Sequence, residues 1–226
     1  MENKMGNKMT AIVLAGAISL TLAACGNQER EQGLAAATRE KEAAAATAEA
    51  SSYKSMFRSS VFLGDSITEG LSFHGVLDDK NVMGKAGATA MFALEDVGDL
   101  AGRNPKHVFI QLGSDDLLWP TDNPKQFSLT NYAKLIGKIK EKLPKAKITI
   151  LSVTPVTAEA EKSEPRYKNI ADYNQGLKEL AGKEKVGYTD VSPIFTAHPD
   201  LHDTDGIHMK AEYYTQLLKL LQDQVK

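Results

Sequence analysis

The chain has 226 residues, 42% of them apolar and 25% charged, so one ordinary domain with a packed core is available and wholesale disorder is excluded. Lys plus Arg is 27 and Asp plus Glu is 29, a net charge of -2, and such a balance excludes a nucleic-acid partner, which demands clustered cations. The single cysteine, Cys25, excludes a disulfide framework and a cysteine zinc site.

The first segment reads as a leader. Lys4 and Lys8 precede the apolar run 11–22, which is too short to span a hydrocarbon core of ~30 Å as a helix. It ends Leu22-Ala23-Ala24-Cys25-Gly26, which resembles the lipobox of bacterial lipoproteins. The resemblance implies cleavage after residue 24 and a diacylglyceryl group on Cys25; an ordinary signal peptide with an incidental Cys25 is the alternative. Each acyl methylene buried in the bilayer adds about 0.8 kcal/mol, so two or three chains would anchor the product to the membrane, outside the cytoplasm. Residues 25–52 are rich in Ala, Glu, Gln, Thr and Ser and offer only Leu34 as a large aliphatic, the composition of a tether. The folded domain is expected over 53–226.

From there strands and helices alternate. Short apolar runs at 61–63, 81–83, 107–112, 147–153 and 186–191 suit strands covered on both faces, as in a parallel sheet. Helix-period segments lie at 89–103, 131–143, 165–183 and from 210 to the terminus. Asp122, Asn123 and Pro124 read as turn residues. The alternation predicts a three-layer α/β/α, flavodoxin-like fold with five parallel strands, whose ligands bind at the carboxyl ends of the strands.

Two motifs stand at those ends. Gly64-Asp65-Ser66-Ile67-Thr68 follows the first strand, where Ser66 would either expose its hydroxyl beside the N–H groups of a helix start or merely cap that helix. Asp205-Gly206-Ile207-His208 lies near the C-terminus. A serine hydroxyl needs a base, and an imidazole needs an acceptor to fix its tautomer, so Ser66, His208 and Asp205 could form a catalytic relay. A polar loop capping the last helix is the plainer reading of the second motif. His74, His107, His198 and His202 are scattered with no metal-ligand spacing, and His198 and His202 read as solvated loop histidines. Trp119 could line a sugar or acyl subsite, or close a loop.

With Asn81-Val-Met-Gly84-Lys-Ala-Gly87-Ala-Thr89 between them, these blocks resemble the SGNH or GDSL hydrolase family across the whole folded domain. The resemblance implies Ser66 as nucleophile, His208 as base, Asp205 as its orienter, and the N–H groups of Ser66 and Gly87 as oxyanion donors. It implies no metal and no organic cofactor, and an ester of a small molecule, glycan or lipid as substrate. One block departs from the pattern: Gly113-Ser114-Asp115-Asp116 has Asp115 where the family carries an Asn that donates to the oxyanion. An ionised carboxylate only accepts hydrogen bonds. Asp115 could be protonated with help from Asp116, could pair with Lys85, or could mark a site that binds esters or sugars without hydrolysing them. Acyl transfer to another glycan is a further reading.

Overall fold

The computed structural model of the protein describes residues 49–225. The expected leader, Cys25 and residues 25–48 of the expected tether lie outside the described residues. Helical residues 49–56 (α1) lead into β1, Ser60–Gly64, with Tyr53 and Phe57 buried.

The chain then runs through α2 (Ser66–Phe73), β2 (Val82–Gly84), α3 (Val97–Gly102), β3 (His107–Gln111) and α4 (Pro124–Lys142). It continues through β4 (Lys147–Leu151), α5 (Ala158–Ser163), α6 (Ile170–Glu184), β5 (Gly187–Thr189), α7 (Ser192–Ala197) and α8 (Ala211–Leu221). All five strands are parallel, in the order β2-β1-β3-β4-β5. This is the flavodoxin-like order, and the chain direction across the sheet reverses between β1 and β3, where a crevice opens at the carboxyl edge.

Side-chain alternation along the strands builds the two outer layers. Val61, Leu63, Val108, Ile110, Ile148 and Ile150 pack into the core with α3, α4 and α6. Phe62, Phe109 and Leu151 point the other way, into the core with α1, α2, α7 and α8. Each fully buried Leu, Ile or Phe contributes about 1.5–3 kcal/mol through removal from water.

Three helical expectations are corrected. The segment expected as one helix over 89–103 is a 3-10 turn, Phe92–Leu94, followed by α3. Bonds from Leu94, Glu95 and Asp96 N–H groups reach back only three residues, and the α pattern resumes at Leu100. α4 starts seven residues before the expected 131, because the Asn123 side chain accepts the Gln126 N–H at 3.0 Å and Pro124 stands in the first turn. α5 and α7 were not expected. The former is short, with Ala160 as its one buried residue and Thr157 as its cap.

Of the two histidines expected to be solvated, His202 is half-buried. His107 is buried on β3, its Nε2 2.8 Å from Thr149 Oγ1 and its ring stacked on Phe109. His202 Nε2 lies 2.9 Å from the carbonyl of Pro155, and His74 packs against Tyr214. His198 is exposed.

Candidate active site

β1 ends at Gly64, and Asp65 turns the chain into α2. Asp65, not Ser66, caps the helix: its Oδ1 accepts the Ile67 N–H at 3.0 Å. Ser66 is therefore the first helical residue, half-buried at the carboxyl edge of the sheet. Its own N–H belongs to the first turn, which has no acceptors within the helix.

The loop 201–210 delivers the other partners. Buried Leu201 and Met209 anchor it, and the Lys210 N–H to Leu201 carbonyl bond of 2.9 Å closes it. Gly206 adopts φ +72, and a Cβ there would lie 2.1 Å from Thr157 Oγ1, so no other residue turns the chain here without strain. The turn folds Asp205 back on His208: one carboxylate oxygen accepts the N–H groups of Ile207 and His208 at 2.9 Å each, and the other meets His208 Nδ1 at 2.5 Å. His208 Nε2 stands 3.0 Å from Ser66 Oγ. Burial alone would raise the Asp205 carboxyl, but the ring and the two N–H groups outweigh it and hold it at about 2. Asp205 is therefore an anion across the ordinary pH range. Its bond fixes the Nδ1–H tautomer, which turns the Nε2 lone pair toward the serine hydroxyl.

The turn 85–88 completes the rim. The Lys85 N–H donates to the Gly64 carbonyl at 3.1 Å, so the turn sits against the end of β1, and the Ala88 N–H to Lys85 carbonyl bond of 3.0 Å closes it. Gly87 occupies the third position at φ +75, which favours glycine. Asn81, the first residue of that block, is buried and donates to the carbonyls of Phe57, Arg58 and Ser60, a purely structural task.

Behind the serine lie three carboxyl groups. Asp65 is buried; burial pushes its carboxyl up to about 7, the Ser114 hydroxyl and the Ile67 N–H oppose this, and the charges of Asp115 and Asp116 add to it. Ser114 Oγ donates to Asp65 at 2.5 Å. Asp116 is also buried and raised to about 6 by burial, against the Ser128 hydroxyl and the Ala90 N–H that it accepts. Ser128 in turn contacts the Tyr173 hydroxyl at 2.6 Å. Asp115 is half-buried, and burial raises its carboxyl while His208 pulls it down. No Asp115–Lys85 ion pair exists among the described residues. Ser114, Ser128 and Tyr173 escaped the sequence reading, since a single hydroxyl bonded to a distant carboxylate leaves no periodic or spacing signal.

Trp119 does not stand alone. It stacks on Phe127 with centroids 6.0 Å apart and meets Phe92 edge-on at 5.5 Å.

No match was found among curated proteins. Solved structures share the fold: a GDSL-like lipase from Bacteroides thetaiotaomicron is 20% identical, with 73% of this chain and 86% of that one covered and a TM-score of 0.60. A carbohydrate esterase family 3 protein from Talaromyces cellulolyticus is 17% identical, covering 73% and 94%, with a TM-score of 0.56. An acetyl xylan esterase is 18% identical, covering 74% and 98%, with a TM-score of 0.57. The model of the GDSL-like lipase/acylhydrolase family matches residues 62–216. That match takes in more than half of the sequence, and the chain belongs to this family of ester hydrolases.

Proposed function

We propose that the protein is a serine esterase that removes short acyl groups, acetyl foremost, from glycans or lipids outside the cytoplasmic membrane. The observation that carries this reading is the unbroken contact chain from Ser66 Oγ through the His208 ring to Asp205. In the proposed reaction Ser66 Oγ attacks the ester carbonyl carbon while His208 Nε2 takes the hydroxyl proton. Asp205 stabilises the resulting imidazolium, and the N–H groups of Ser66 and Gly87 receive the oxyanion. Collapse of the tetrahedral species expels the alcohol, which takes the proton from His208. Water, activated by the same ring, then releases the carboxylic acid and frees Ser66. The side chains named supply every proton transfer.

The short-acyl preference draws support from an acetyl xylan esterase among the structural neighbours. The location rests on the leader and the lipobox-like Cys25, which would hold the domain to the membrane. Hydrolysis of p-nitrophenyl esters from acetate to octanoate tests the reading. Turnover fastest on acetate and abolished by Ser66→Ala supports it. Absence of turnover on every ester would leave a carbohydrate or lipid binder, and product formed faster with an added alcohol than with water would make the protein an acyltransferase.

A further inference from the structure

A cleft of about 310 Å³ opens beside the turn that carries Gly87, with Lys85, Phe92, Glu95 and Asp96 on its walls. The turn is bonded to the end of β1, two residues before Ser66, and Gly87, the oxyanion donor of the proposed reaction, lines the cleft. Its volume lies at the small end of the ~300–1,000 Å³ usual for small-molecule sites, room for one ring and little more.

The lining is a mixture with a definite chemistry. Phe92 is 43% exposed, unusual for a large aromatic in this protein, and the edge contact with Trp119 braces its ring. Lys85 brings a cation and Glu95 and Asp96 bring two carboxylates, and none of the ion pairs among the described residues involves them. Asp96 even stands at the cap position of α3 without its side chain capping the helix.

An acyl chain in this cleft would strip water from three charged groups and return no hydrogen bonds. An anionic group would meet two carboxylates. A neutral sugar satisfies both kinds of wall: its C–H face lies on the Phe92 ring, its hydroxyls donate to Glu95 and Asp96, and its oxygens accept from Lys85. We propose that this cleft is a saccharide subsite that takes one neutral pyranose ring, the alcohol side of the ester. The assignment rests on the serine-esterase reading and narrows its substrates from glycan or lipid esters to acylated sugars.

The test compares p-nitrophenyl acetate with a mono-O-acetylated methyl glucopyranoside for the parent, Phe92→Ala and the double variant Glu95→Gln/Asp96→Asn. Both variants are expected to lower kcat/KM for the acetyl glycoside about tenfold, mainly through KM, the scale of losing contacts of this kind. The ratio of the two kcat/KM values is expected to fall at least about fivefold. Because the ratio is read within one protein, a reduced folded fraction cancels. Equal losses on both substrates, or no loss on either, would overturn the subsite. A parent that hydrolyses p-nitrophenyl acetate and ignores the acetyl glycoside overturns it alone, and a parent inactive on both overturns the esterase reading with it.

Discussion

The carboxylate of Asp116 accepts the backbone N–H of Ala90 at 3.1 Å and so ties the loop after β3 to the segment that follows Gly87. Its neighbour Asp115 has the opposite surroundings, half-buried and within the electrostatic reach of His208. Two adjacent acids are thus divided: one holds the rim together, and the other lies in the field of the proposed base. Asp115→Asn converts the second into a hydrogen-bond donor. At pH 8 the variant is expected to raise kcat on p-nitrophenyl acetate about tenfold or more, within the ~10²–10³ that one oxyanion donor supplies. The gain is expected to be smaller in a second measurement at lower pH, because burial raises the Asp115 carboxyl and a protonated carboxyl can itself donate. A fall in kcat at both pH values would mean that the acid has a task the amide cannot perform.

Asp205→Asn keeps the shape of the loop and removes the charge that fixes the His208 tautomer. A loss of about 10³–10⁴ in kcat is expected, with KM nearly unchanged. A loss smaller than tenfold would remove Asp205 from the relay. Because its carboxyl is held at about 2, Asp205 remains ionised across the working range, and the acid limb of the pH profile belongs to another group.

The buried acids set the pH dependence of stability. Asp65 and Asp116 ionise near 3.8 in the unfolded chain, while in the fold they are raised to about 7 and about 6. Between those limits the folded state binds more protons than the unfolded state, so their contribution is fully present below pH 4 and fades as pH rises to 6 and then 7. The melting temperature is therefore expected to be higher at pH 5 than at pH 8, with the difference reduced in Asp65→Asn. The same drop in parent and variant would show that Asp65 is not its source.

Gly206→Ala tests the backbone that presents the base. The added Cβ meets Thr157 Oγ1 at 2.1 Å on a residue at φ +72. A destabilisation of about 1–3 kcal/mol is expected, the usual size of such backbone strain, read from denaturant unfolding. The folded fraction should also lose activity as His208 is displaced from Ser66. Unchanged stability and rate would show that the loop 201–210 adapts freely.

Much of this was legible in the sequence because the signals were local. The apolar runs marked β1, β3 and β4, since a strand covered on both faces must be apolar on both, while the edge strands β2 and β5 are three residues long and partly exposed. The Gly-Asp-Ser and Asp-x-x-His blocks each lie within one turn, and the sheet brings their side chains within 3.0 Å across 142 positions. The illegible parts depend on distant partners. Nothing around Asp65 announces that Ser114 bonds it, and nothing around Asn123 separates a turn from a helix cap until the Gln126 N–H is seen beneath it. Phe92 was expected within one continuous helix, whereas it opens a 3-10 turn with its ring exposed.

The central claim is that Ser66 is a nucleophile activated by His208. Treatment with a fluorophosphonate probe, followed by peptide mass spectrometry, measures this directly. The account predicts one covalent adduct on Ser66, absent in Ser66→Ala and slowed at least about tenfold in His208→Ala, where no base takes the hydroxyl proton. An unlabelled protein, or an adduct on another residue that survives Ser66→Ala, would contradict it.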